Sequence, residues 1–325
     1  MTQALVLEDV SKSYSDHVAV RGLGLSVPAG SIYGILGPNG AGKSTTLRMI
    51  MNIQMRDSGE IRLLGRDPED DRTVLERVGY LPEERGLYRK MKVMDVIVFF
   101  ARLKGVEKRV AREKGASWLE RMGLEEWGNA KVETLSKGMQ QKVQFITTVL
   151  HEPDVLILDE PQSGLDPVNQ EVLRETIIGS SRAGRTVILS THNMSEAQRM
   201  CDAVCIIDEG EKILDGDVRE IRRDHRANRF AVEFDADTES VRRFMRESPH
   251  VGGAEATNRG WEVELSDGSS ARSLLSELSG LDTPVARFEH LQPTLHEIFV
   301  SRVRDAAHAH RRDGRQLGIR EASRA

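Results

Sequence analysis

Nine consecutive residues, Gly37-Pro38-Asn39-Gly40-Ala41-Gly42-Lys43-Ser44-Thr45, fit the spacing G-x-x-x-x-G-K-[ST] of a phosphate-binding loop. Glycines at these positions let the backbone curl until successive N–H groups point inward at an anion. Such a loop needs a buried strand before it and a helix after it, because the helix start adds its positive end to the N–H groups. Both flanks are present. Ser31–Leu36 is a short apolar run, and Thr46–Met51 has helix formers with apolar residues at helical spacing. The implied ligand is a nucleoside triphosphate, with Lys43 reaching the β- and γ-phosphates and Ser44 ligating Mg²⁺.

A second group of reactive side chains lies more than a hundred residues on. Asp154-Val155-Leu156-Ile157-Leu158-Asp159-Glu160 is an aliphatic strand that ends in two carboxylates. Asp159 at the strand end is placed to hold Mg²⁺ opposite Ser44, and Glu160 to orient an attacking water or take its proton. Two solvated acids at a strand end would be the bland alternative; the upstream phosphate loop favours the chemical one.

The elements that must position these groups follow from the apolar patterning. Short apolar runs and turns over residues 4–36 predict strands leading into the loop. From about residue 70 to 150 charged, helix-favouring segments dominate, including Val110–Met122 and Lys142–Leu150, and the short apolar run Val93–Ala101 reads as a buried helix. A helix at Val168–Ser181 separates the Asp154 strand from a further strand at Arg185–Ser190, and Ala203–Ile207 is a third run. Strands alternating with helices predict a parallel sheet. Beyond residue 220 the pattern changes to strand Phe230–Phe234, helix Ser240–Glu247, strands Val251–Ala256 and Trp261–Leu265, helix Ala271–Leu278, strand Pro284–Phe288 and helix Leu295–Val303. That order suggests a small ferredoxin-like α+β domain.

Bulk composition narrows the classes. The chain has 325 residues, room for two domains, and 46 basic against 51 acidic residues give a net charge of −5. No basic excess points to a nucleic-acid partner. Cys201 and Cys205 are the only cysteines, so no disulfide framework is expected, a reducing compartment is implied, and both read as small buried residues rather than zinc ligands. No uncharged apolar run approaches the roughly 20 residues of a membrane span, and the start lacks a signal-peptide pattern.

Three further segments appear in a telling order: Leu135-Ser136-Lys137-Gly138-Met139-Gln140-Gln141, then Ser163-Gly164-Leu165-Asp166, then Ser190-Thr191-His192. With Tyr14 upstream, residues 4 to about 215 resemble the ATP-binding cassette (ABC) ATPases, whose signature, D-loop and H-loop these segments match. The resemblance implies an α/β P-loop core with an antiparallel β subdomain and a helical subdomain. It implies that Tyr14 stacks adenine, that His192 hydrogen-bonds the γ-phosphate, and that Ser136 and Gly138 bind the γ-phosphate held by a second subunit. Asp166 would then work at the seam of a head-to-tail dimer, most simply of two identical chains. Two departures stand out. Lys137 and Met139 replace the usual Gly and Gln of the signature, and Glu83 occupies the position of a Gln that touches Mg²⁺ or the attacking water. A carboxylate there could ligate the metal more strongly.

The wording of Leu81–Tyr88 and of Leu135–Lys142 is similar to that of bacterial NatA-type sodium or drug exporter ATP-binding proteins with a C-terminal accessory domain, here ending in Pro293-Thr294-Leu295-His296-Glu297-Ile298-Phe299. This similarity implies ATP and Mg²⁺ as cofactors, ATP hydrolysis, a separate multi-span permease as partner, and a cytoplasmic position at the inner face of the membrane. The expected domains are 1–218 for the cassette, with a helical subdomain at about 84–150, 225–303 for the accessory domain, and 304–325 for a flexible basic tail. A soluble non-transport ABC ATPase with a regulatory, translation or repair role is the rival. Only one phosphate loop occurs and no sustained heptads separate Lys43 from Ser136, which speaks against the two-cassette and coiled-coil members of that class.

Overall fold

Apolar runs that alternate with helices become strands buried on both faces. The structure, a computed structural model, describes residues 2–15, 17–225 and 228–304. The chain divides into two compact units between Val218 and Arg219.

The first unit begins with long antiparallel strands β1 (Gln3–Tyr14) and β2 (His17–Pro28), then β3 (Ile32–Leu36), helix α1 (Lys43–Ile50), and strands β4 (Ser58–Leu63) and β5 (Val78–Leu81). Helices α2 (Val93–Leu103), α3 (Lys108–Arg121) and α4 (Lys137–Val149) follow. Strand β6 (Val155–Asp159), α5 (Pro167–Arg182), β7 (Thr186–Thr191), α6 (Met194–Met200), β8 (Ala203–Asp208) and β9 (Glu211–Asp217) complete it. The main sheet has the order β5-β6-β7-β3-β8-β9, parallel except for β9. Every residue of β3, β6 and β7 is buried, as continuous aliphatic runs demand of strands covered on both faces. A second sheet, β2-β1-β4, is antiparallel. Its Leu5, Leu7, Leu23, Leu25, Ile61 and Leu63 share one core with Tyr33, Ile35, Leu47 and Ile50.

The sequence reading missed three strands. Helices dominate residues 70 to 150 as expected, but Val78–Leu81 adds strand β5 to the sheet edge. Strands β4 and β9 also escaped the sequence reading; β9 is half exposed and carries charge along its length, so it lacks an apolar run. The helices pack as the periodicity requires. Ala111, Gly115 and Leu119 line one face of α3, and a Cβ on Gly115 would stand 3.0 Å from Ile97 Cγ2, which explains the small residue. Cys201 and Cys205 are buried free thiols, raised above their ordinary range by that burial.

The second unit opens from α7 (Val218–Asp224) into β10 (Arg229–Phe234), α8 (Glu239–Glu247), β11 (Val251–Thr257), β12 (Gly260–Leu265), α9 (Ala271–Leu278) and β13 (Val285–His290), with residues 295–304 helical. Its sheet, ordered β11-β12-β10-β13, is antiparallel throughout, the arrangement of a split βαββαβ fold. Val241 and Met245 of α8 and Leu274 and Leu278 of α9 are buried one turn apart, and Met245, Leu274 and Leu278 share a core with Phe230, Val232, Val263 and Leu265. Thr238 and Ser270 cap the two helices, each accepting a backbone N–H three residues on. The expected basic tail, with His308, His310, Arg311 and Arg312, lies outside the described residues apart from Arg304, which is helical. Among the described residues no helix is long and apolar enough to cross a membrane.

Candidate triphosphate site

The sheet order places the reactive residues. Strand β7 lies between β3 and β6, so Gly37 after β3, His192 after β7 and Glu160 after β6 emerge at neighbouring carboxyl ends. Ligands of open parallel sheets bind at that edge. The loop Gly37–Gly42 curls there under tight constraints. A Cβ on Gly42 (φ +102°) would meet the Ala19 carbonyl oxygen at 2.3 Å, so neither the backbone angle nor the space admits a side chain. The α1 helix starts immediately after, and Thr46 closes its first turn by donating its hydroxyl to the Gly42 carbonyl.

Lys43 is 6% exposed, and its ammonium donates to the carbonyls of Gly37 at 2.8 Å and Pro38 at 3.0 Å. The same nitrogen stands 3.6 Å from Glu160 Oε1. That carboxylate oxygen also accepts the His192 backbone N–H at 3.0 Å and faces His192 Nδ1 at 2.9 Å. Glu160 holds φ +46°, an uncommon angle for a side chain with a Cβ, and its N–H is fixed by the carbonyl and hydroxyl oxygens of Ser190. The strand neighbour thus holds the carboxylate in a conformation it would not choose alone.

Asp159 is fully buried. Its Oδ1 accepts the hydroxyls of Ser44, at 3.1 Å, and Ser190, while Oδ2 has no hydrogen-bond partner. A buried carboxylate oxygen left unpaired beside a serine hydroxyl is a hard-oxygen donor set that fits Mg²⁺. Among the described residues no cluster of three or more Asp, Glu, His or Cys could hold a metal alone. Phosphate oxygens and water would have to complete the shell, as this ion prefers.

A cavity of about 390 Å³ opens over the loop, lined by Tyr14, His17, Ala19, Asn39, Gly40, Gly42, Lys43, Ser44, Thr45, Glu83 and Glu160. It joins residues from five separate stretches of chain. Glu83, just past β5, is exposed and reaches this cavity. Ala41 is buried beneath it, its N–H donating to the Pro38 carbonyl. Ser136, Gly138 and Asp166 are not among the lining residues. Ser136 caps α4 by accepting the Met139 N–H, and Gly138 lies against Leu165, where a Cβ would be 3.4 Å from Cδ2. Asp166 caps α5, accepting the N–H groups of Asn169 and Val168; the Asn169 N–H foremost holds its carboxyl below the usual range.

Comparison with known proteins gives the family. Residues 20–163 match the ABC transporter family, and residues 216–303 match the C-terminal domain of ATP-binding protein DrrA1-3-like proteins. The ABC transporter ATP-binding protein YhaQ of Bacillus subtilis (strain 168) is 40% identical over 299 residues, covering 92% of this chain and 98% of YhaQ. The chain belongs to the ABC transporter ATP-binding proteins. The Nod factor export ATP-binding protein I of Burkholderia orbicola (strain AU 1054) is also 40% identical, over 64% of this chain and 69% of its own. Among solved structures, cbiO1 from Clostridium perfringens, part of the ABC transporter complex cbiONQ, aligns with a TM-score of 0.61 at 26% identity over 77% of this chain and 97% of its own.

Within this ABC ATP-binding protein the sequence reading overlooked three residues of the site. His17 and Ala19 enter the cavity from β2, and Ser190 bonds both Asp159 and Glu160. Ser190 stands two residues before His192, but its place beside Asp159 depends on the pairing of β7 with β6, which the sequence does not state. The β2 residues offered no signal either, because their place over the loop depends on how the antiparallel sheet packs.

Proposed function

We propose that this subunit hydrolyses ATP to ADP and phosphate, and that two copies meeting head to tail drive export of sodium or a drug-like solute through a separate membrane permease, at the inner face of the membrane. One observation carries the reading: Lys43 and His192 converge on a single carboxylate oxygen of Glu160 beside a cavity over the phosphate loop. Lys43 and the loop N–H groups of Gly37–Thr45 hold the β- and γ-phosphates, and Tyr14 takes the adenine ring. Ser44 and Asp159 hold Mg²⁺, with Glu83 beside them, and the ion neutralises charge on the phosphates when bound. Glu160 orients a water and takes its proton as the water oxygen bonds to the γ-phosphorus and the bond to ADP breaks. His192 keeps Glu160 in place by donating Nδ1–H to its carboxylate, and only a ring that also carries a proton on Nε2 donates a hydrogen bond to the γ-phosphate.

The position of Ser136, Gly138 and Asp166 outside the cavity supports a site completed by a second copy. Ser136 and Lys137 are exposed at the start of α4, where a helix N-terminus can meet an anion. Export draws support from the named role of the Burkholderia relative, and the separate permease from the membership of cbiO1 in a complex. The test is whether a multi-span protein is encoded beside this chain and purifies with it, followed by measurement of phosphate release and solute movement in vesicles. ATP turnover that neither needs nor responds to such a protein would overturn the transport part of the proposal.

A further inference from the structure

Triphosphate chemistry demands no imidazole at residue 17, yet His17 lines the same cavity as Lys43 and Ser44. Its neighbour there is Tyr14. The two are the end pair of the β1–β2 ladder, directly opposite each other across antiparallel strands. Residues so paired project to the same face with Cβ atoms about 4.5–5.5 Å apart. A phenol and an imidazole therefore stand side by side at the hairpin end of the cavity, while Ala19 and Gly40, which also line it, offer almost no side-chain surface.

The Tyr14 ring is held on one side. Lys12 Nζ lies 5.8 Å over its centroid and is itself paired with Asp57, leaving the other face for a planar ligand. Both Tyr14 and His17 are exposed, so neither ring serves the core. A purine is larger than the six-membered ring of a pyrimidine, and two adjacent flat groups match the larger base better than one.

We infer that His17 is a specificity-determining residue that joins Tyr14 in a two-ring platform for the purine of the bound triphosphate. This rests on the reading of the cavity as an ATP site. Stacking tolerates substitution by another flat ring and is lost with alanine, so the role is separable from general stability. The experiment measures affinities of the full chain and its variants for ATP, CTP and tripolyphosphate by calorimetry. His17→Ala is expected to weaken ATP about fivefold or more, the low end of what one stacked ring contributes. CTP should change less, tripolyphosphate should not change, and His17→Phe should bind ATP nearly as the parent does. The inference is overturned if His17→Ala binds ATP unchanged, if CTP or tripolyphosphate weakens as much as ATP, or if His17→Phe behaves like the alanine variant. Lys43→Ala supplies the separate control. If it leaves both ATP and tripolyphosphate binding intact, the cavity is not the triphosphate site, whatever His17 does.

Discussion

Glu160 and His192 are joined twice at one oxygen: Oε1 accepts the histidine's backbone N–H and lies 2.9 Å from its Nδ1. The carboxylate accepts, so Nδ1 carries the proton and Nε2 is left to face outward. This pairing separates two roles that a sequence motif lumps together. Glu160→Gln keeps the shape but cannot take a proton, so ATP binding should persist while hydrolysis slows by roughly 10²–10⁴. His192→Ala should lower turnover as well, by loosening Glu160. Single-turnover phosphate release checks both, and near-normal rates in Glu160→Gln would remove it from the role of base.

Glu83 reaches the same cavity from the strand edge at β5. If its carboxylate serves the metal, Glu83→Ala should reduce Mg²⁺-dependent turnover about 10–100-fold, the usual cost of losing a group that supports a metal site. Nucleotide affinity without Mg²⁺ should barely move. Titration of activity against Mg²⁺ distinguishes this from a switch contact that has been lost, for which the kinetics would be unchanged.

A shared site makes an arithmetic prediction. Lys43→Ala and Ser136→Arg subunits should each be inactive alone, since each damages both sites of its own dimer. Mixed, half of the dimers are heterodimers with one intact site, so about a quarter of normal turnover should return. No recovery on mixing would mean that Ser136 and Lys43 do not serve one site from two chains.

Gly42 and Gly40 test the loop's backbone. Gly42→Ala faces both a left-handed φ and a carbonyl oxygen at 2.3 Å, whereas Gly40 (φ +84°) has nothing within 4 Å of a new Cβ. Chemical denaturation should show a loss of about 2–4 kcal/mol for Gly42→Ala and about 1–2 kcal/mol for Gly40→Ala. Equal losses would mean that strain alone, not the close approach of Ala19, shapes the loop.

His151 makes stability depend on pH. Its Nε2 is 3.3 Å from the Val78 carbonyl and Nδ1 is buried without a partner, so burial first and the Lys104 charge next push its pKa down to about 4. The unfolded chain takes this proton near pH 6.5 and the folded one only near 4, so stability rises with pH across that window and falls on acidification through it. His151→Gln removes the proton and should flatten the pH 7 to pH 5 difference by about 1–2 kcal/mol, allowing for the ring's partial contact with water. Denaturant midpoints of both proteins at the two pH values measure it.

What the sequence by itself determined is the local chemistry. Strand β3, the loop at Gly37 and helix α1 are contiguous, so residue preferences within some twenty positions suffice to specify a triphosphate cradle. The βαββαβ order after residue 228 was legible for the same reason, because its two helices carry their own period and their own caps. Strands β4, β5 and β9 were not, being short or half exposed and held by pairing with neighbours rather than by their own pattern. Only the tertiary structure decided that β7 lies between β3 and β6, an order the chain does not announce. That order brings Lys43 to 3.6 Å from Glu160 and sets Ser190 beside Asp159. It also decided that Tyr14 and His17 hang over the loop, because sheet packing, not sequence distance, chooses which strand ends meet.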